Sequence, residues 1–190
     1  MELLDDPQCF GVWDEETGAH RYHYVRVWDA KLPRVLYVML NPSKGTVQKP
    51  DPTMRQCVHF AQAQGFGGVE IVNLFGFMAP KPPELKRVAR ADLARAIGPR
   101  NDSHVRDAMR RFAATITGER AQGKPESCVV LAWGAHASHT VGHAERVRFV
   151  RGLCEENVAI VAQCLGRTKD GSPIHPLMLP HDLRFTAYRW

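Results

Sequence analysis

The 190-residue sequence has no apolar run near the roughly 18 residues of a membrane span. Its first residues, Met1 to Pro7, are acidic and lack the basic start and apolar stretch of a secretion signal, so a cytoplasmic, non-membrane protein is expected. Five cysteines are scattered with no CxxC pair, which argues against a zinc or iron–sulfur site. They read instead as small buried hydrophobes of a reducing compartment. No metal or other cofactor is implied. There is no internal repeat, no low-complexity tract and no linker long enough to split the chain, so residues 1–190 read as one domain, expected to be monomeric.

What is present is an uneven charge. The net charge is +5, a weak pointer to nucleic acid by itself. Residues 1–30 hold seven acids and two bases, whereas residues 81–111 hold nine bases and four acids. Lys81, Arg87 and Arg90 are the candidates for phosphate contacts in that basic segment. The competing reading is a solvated helix face.

Four short, β-rich apolar runs follow a hairpin-like start at 10–13 and 20–28: Val35–Leu40, Val69–Leu74, Val129–Ala132 and Val158–Ala162. Continuous rather than alternating apolarity marks strands buried on both faces of a parallel sheet. In the hairpin, Tyr22, Tyr24 and Trp28 share one parity with Arg26, the pattern of a half-buried strand. Met54, Cys57, Val58 and Ala61 fall at helical spacing. Val105, Met109, Phe112, Ala113 and Ile116 form a second stripe, which Gly118 is expected to end. A third helix is expected from about Ala135 to Leu153. The alternation predicts an α/β fold of three layers, α/β/α, around a central four-stranded, mostly parallel sheet with an N-terminal β-hairpin attached.

Function in such sheets gathers at the C-terminal strand ends. Here those ends carry Asn41-Pro42-Ser43-Lys44-Gly45-Thr46, then Asn73-Leu74-Phe75-Gly76-Phe77, then Trp133-Gly134-Ala135-His136. A later loop reads His175-Pro176-Leu177-Met178-Leu179-Pro180. Taken alone, Asn41-Pro42 is also an ordinary turn, and Asp51-Pro52 an ordinary helix start.

The strings VLYVMLNPSKGT, EIVNLFGFMAPKPPELKR, VVLAWGAHA and IHPLMLP, in this order over roughly residues 33–185, resemble motifs of the uracil-DNA glycosylase superfamily. The whole chain resembles a bacterial and phage-associated branch of it. The resemblance implies a uracil-DNA glycosylase-like fold and a DNA glycosylase that flips a base out of the strand and hydrolyses its N-glycosidic bond. Asn41 aligns with a water-positioning asparagine, with Asp51 as the nearest carboxylate. His175 aligns with the histidine that stabilises the departing base. Asn73 aligns with the reader of the base edge. Pro42 and Phe75 (or Phe77) are the further base contacts, and Ser43 and Lys44 join the basic segment as DNA contacts.

The sequence also departs from the familiar pattern. The late loop lacks the small serine that holds a phosphate. Ser43-Lys44-Gly45 stands where one glycine is usual. The aspartate and tyrosine of the uracil-specific branch are missing from the first loop. These changes point away from uracil and toward a bulkier, 5-substituted pyrimidine, as in hypermodified phage DNA, with anti-phage defence or base-excision repair as the role. A hydrolase of free modified nucleotides and a non-catalytic nucleic-acid-binding module remain the alternatives. Lyase chemistry through Lys44 is a third variant.

Overall fold

A computed structural model describes residues 9–46 and 48–190; the acidic start Met1–Pro7 lies outside the described residues. In chain order the elements are β1 (Phe10–Trp13), β2 (Arg21–Val27), β3 (Arg34–Met39), α1 (Pro52–Ala63), β4 (Gly68–Asn73), α2 (Pro82–Ala91), α3 (Leu93–Ile97), α4 (Asn101–Ala121), β5 (Cys128–Leu131), a 3-10 turn (Ala135–His139), α5 (His143–Glu156), β6 (Gln163–Cys164) and β7 (Thr186–Ala187). They form a mixed α/β fold on one seven-stranded sheet, ordered β1-β2-β4-β3-β5-β6-β7. The expectation of four strands is therefore corrected. Four strands, β4-β3-β5-β6, are mutually parallel, and β1, β2 and β7 extend them in antiparallel pairing. The hairpin is part of the sheet rather than an appendage, because β2 pairs with β4.

Alternation of side chains gives the sheet two dry faces. Leu36, Val38, Val72, Val129 and Leu131 pack against α2, α4 and α5. Val35, Tyr37, Val69, Ile71 and Val130 pack against α1. Met54, Cys57 and Ala61 of the stripe read for α1 are buried, Phe60 joins them, and Val58 is only partly buried against the same cluster. The stripe read for α4 is buried as well, but the helix continues through Gly118 to Ala121, because one interior glycine costs only about 1 kcal/mol against a long packed face.

Two other expectations fail for local reasons. Val158–Ala162 is not a strand; Val158 is 91% and Val161 60% exposed, while Ile160 and Ala162 anchor the connection to the core. The strand β6 begins one residue later. The single helix expected over 135–153 is divided at Gly142, whose left-handed conformation (φ 79) stops the 3-10 turn from running into α5.

The hairpin also departs from simple alternation. A β-bulge in the β1–β2 ladder pairs Val12 with His23 but Trp13 with Arg21. Tyr22 is thus the extra residue, and two consecutive side chains fall on one face. Tyr22 stacks on His104 of α4, and His23 pairs with Glu70 beneath the same helix. Arg21 and Tyr24 share the opposite face, with the Arg21 guanidinium 5.7 Å from the Tyr24 ring centre. Both faces of β2 are covered, so it is not the half-buried strand that its parity predicts.

β3 lies between β4 and β5, the neighbours reached by crossovers in opposite directions. Such a reversal leaves a crevice at the C-terminal strand ends, which is where a ligand site is expected.

Candidate active site

A cavity of about 530 Å³ occupies that crevice. Asn41 enters it from the end of β3, Asn73 from β4, Trp133 and His136 from the end of β5, and Asp51 from the start of α1. Ser43, Arg21 and His175 complete its polar lining, and Leu177 and Leu179 edge it.

Asn41 follows β3 directly. Its Nδ2 donates to the carbonyls of Pro42 (3.0 Å) and Ala79 (2.9 Å), tying the first loop to the segment after β4. These acceptors fix the amide orientation, so Oδ1 is the atom left for a water or ligand. Pro42 itself is buried and is not part of the cavity wall; its carbonyl serves the Asn41 amide and the Ala79 N–H.

Asp51 is the N-cap of α1. Its Oδ1 accepts from the Met54 N–H at 2.8 Å, and its Oδ2 accepts a short bond from the Ser43 hydroxyl. The capping role and the cavity position coexist, because each carboxylate oxygen accepts more than one bond.

Asn73 is 1% exposed, and its Nδ2 has no hydrogen-bond partner among the described residues. Its backbone is held firmly. Asn101, the first residue of α4, donates Nδ2 to the carbonyls of Asn73 (3.0 Å) and Leu74 (3.3 Å). The buried Arg146 of α5 adds a bond from Nε to the Leu74 carbonyl at 2.8 Å. An unpaired amide on so rigid a support, in a residue that lines the cavity, is a donor that the fold itself leaves without an acceptor.

His175 is half-buried, and its Nδ1 accepts from the Leu177 N–H at 3.2 Å. That bond leaves the ring proton on Nε2. Burial pushes its pKa down to about 4, against the pull of Asp51 and with added repulsion from His136, so the ring is neutral at pH 7. Gly134 makes room for it: φ is 74, and a Cβ there would lie 2.9 Å from the Cβ of His175.

The aromatic wall is not the expected one. Phe75 is fully buried in the core cluster under α2, α4 and α5 and does not line the cavity, and Phe77 is buried beside His20. The aromatic residue lining the cavity is Trp133, which packs in turn on Tyr188 and Trp190. Its place at a glycine-containing strand end was a visible signal. Arg21 carried none, because its position depends on the bulge.

Among the proposed DNA contacts, Ser43 lines the cavity, while Lys44 is exposed on the loop beside it. Lys81 stands exposed before α2, and Arg87 and Arg90 are exposed on that helix. Other bases of the 81–111 segment are engaged: Arg95 lies over Phe77, Arg100 over Tyr22, Arg106 near Glu156, and Arg111 on Glu70.

A second cavity of similar size is edged by Glu70, Arg34 and Arg111. Burial pushes the Glu70 carboxyl up, but His23 at 2.9 Å, Arg111 at 3.2 Å and Arg34 at 3.7 Å outweigh burial and hold it below the usual carboxylate range. Its charge is matched, which suits a structural brace joining β2, β3, β4 and α4. All five cysteines are free thiols; burial raises Cys57 and Cys128 well above the ordinary thiol range and Cys154 to about 12. No described helix is long and apolar enough to cross a membrane.

No curated protein matches the chain, and no solved structure does. Residues 21–177, a span that runs from Arg21 past His175, match the family model described as "Protein of unknown function (DUF1643)". The chain belongs to the DUF1643 family.

Proposed function

We propose that this protein is a monofunctional DNA glycosylase that excises a modified pyrimidine, built on a uracil-DNA glycosylase-like α/β/α frame. The observation that carries the reading is the buried, unpartnered Nδ2 of Asn73 in the same cavity as a neutral His175. Loss of a base anion from deoxyribose needs donors at the base and stabilisation of an oxocarbenium-like sugar. Asn73 donates to a carbonyl oxygen on the base edge. The Nε2–H of His175 donates to an oxygen whose negative charge grows as the C1′–N bond breaks. A neutral donor of low acidity favours that anion without protonating the base in the ground state.

Asn41 Oδ1 accepts from the attacking water, and the Asp51 carboxylate faces the developing cation. The water oxygen bonds to C1′, its proton passes to Asp51 or solvent, and the base leaves with the bonding pair. Trp133 offers the apolar face that Phe75 does not. Leu177 at the cavity edge and its exposed neighbour Met178, 39% and 88% exposed, suit insertion into a strand from which a base has been displaced. The departures at the first and late loops favour a 5-substituted pyrimidine, with anti-phage defence or base-excision repair in the cytoplasm as the role and a monomer as the working form.

A panel of single- and double-stranded oligonucleotides carrying different 5-substituted pyrimidines tests this, with alkaline cleavage to reveal abasic sites and mass spectrometry of the released base. Excision of one such base, lost in Asn73→Ala, is the expected result. Strand binding without abasic product would make the protein a binding module. Base release from free nucleotides alone would make it a nucleotide hydrolase, a reaction that needs none of the exposed Lys81, Arg87 and Arg90.

A further inference from the structure

Two buried arginines flank the end of β4, and the fold treats them differently. Arg146, 4% exposed, meets the Leu74 carbonyl through Nε and the Asp102 carboxylate through Nη2, so its charge is matched. The side chain of Arg21, 3% exposed, gives one bond among the described residues, from Nη1 to the Gly45 carbonyl at 2.6 Å. Its Nε has no acceptor, and no ion pair reaches it among the described residues. Burial lowers its pKa to about 10, which leaves it charged at neutral pH. The Asp51 carboxylate attracts this charge without forming an ion pair with it, so part of the cost of burying the guanidinium stays uncompensated, and an anion against its open edge would offset it.

The bulge at Tyr22 is what turns this side chain onto the cavity wall beside Tyr24. Bulges of this kind re-aim a side chain next to a site. With Nη1 committed to Gly45, the Nε–Nη2 edge remains, the edge that grips two oxygens of one oxyanion side by side. Asp51 is the carboxylate that acts electrostatically on both Arg21 and His175. The wall therefore offers a cationic group, a carboxylate and a neutral donor. Phosphate, sugar and base of one nucleotide present the complementary sequence.

We propose that Arg21 is an anion subsite of the cavity that takes a phosphate group of the nucleotide whose base is held by Asn73 and His175. The assignment of the base to those two residues rests on the glycosylase reading; the anion subsite does not. The phosphate is either the monoester of a free nucleotide or a diester of the strand.

Nitrogen-15 NMR of arginine Nε–H groups in the intact protein tests the proposal, with the Arg21 resonance identified by its loss in Arg21→Lys. Titration with inorganic phosphate at constant ionic strength, against a chloride control, should shift the Arg21 signal saturably and leave the paired Arg146 signal unmoved. Arg21→Gln should weaken phosphate binding at least about tenfold, with the unchanged Arg146 resonance reporting an intact fold. Thymidine, thymidine 5′-monophosphate and a thymidine trinucleotide then separate the sources. Tighter binding of the monophosphate than of thymidine, with an Arg21 shift, assigns a monoester; a shift with the trinucleotide alone assigns a strand phosphate. No Arg21 shift with any phosphate-bearing probe, or equal binding by the Gln variant, overturns the subsite. Excision in the oligonucleotide panel is read separately, so the loss of one proposal leaves the other standing.

Discussion

Acidification from pH 7 to pH 5 should cost the native state about 2 kcal/mol through His175 alone. The ring titrates near 6.5 in an unfolded chain and near 4 in the fold, because burial disfavours its charged form. A depressed histidine pKa means that the unfolded chain binds the proton first. The stability tied to the neutral ring is therefore complete above about pH 6.5 and is lost progressively as pH falls toward 4. At pH 5 the unfolded histidine is almost wholly protonated and the folded one about a tenth protonated, which sets the magnitude. His104 and His143 are also lowered, chiefly by burial, and add losses of the same sign. Comparison with His175→Gln cancels those shared contributions. Urea unfolding of both proteins at pH 7 and pH 5 should show an extra loss of about 2 kcal/mol in the wild type. Equal losses in the two proteins would refute the assignment of a buried, neutral ring at this position.

Asn41→Ala should lower single-turnover excision on the order of 10²-fold, measured by abasic-site formation. It should also cost about 1–3 kcal/mol in urea unfolding, since the Ala79 carbonyl loses its donor and the Pro42 carbonyl keeps only the Ala79 N–H. Arg87→Ala with Arg90→Ala should weaken DNA binding irrespective of sequence and flatten the plot of log affinity against log salt by about 1 for each phosphate no longer neutralised; an unchanged slope would return these residues to a solvated helix face. Gly134→Ala should destabilise by about 1–3 kcal/mol, because φ is 74 there and the new Cβ meets His175. The shifted His175 ring signals in NMR would show that the cost falls on the late loop, and an unmoved ring would show that it does not.

Legibility in the sequence followed how local the deciding interaction is. The three central strands β3, β4 and β5 stand out because burial on both faces leaves an unbroken apolar run, correct to about one residue at each end. Val158–Ala162 has the same composition, yet only Ile160 and Ala162 reach the core, and composition does not report pairing. Asn41, Asn73 and His175 could be picked out because polar residues at strand ends or in a proline-bracketed loop stand out against their neighbours, and all three line one cavity. Phe75 misled because a strand-end aromatic looks the same whether it turns to the cavity or to α4. Arg21 was hidden by its setting: in a hairpin whose parity placed Tyr22 with Tyr24, nothing local announces the insertion that puts Arg21 there instead.

That insertion has a consequence for comparing relatives of this chain. Arg21 and Tyr24 are three positions apart yet share a face, because Tyr22 is absorbed in the bulge. A relative with one residue fewer between its arginine and tyrosine would have a regular strand and present the same pair to the same wall. A relative with equal spacing but no bulge would turn its arginine toward α4. A gap-free alignment would score the second as the better match and the first as a loss. Across the family, column identity at position 21 is thus a poor guide to who keeps the guanidinium in the cavity, and strand register is the quantity to align.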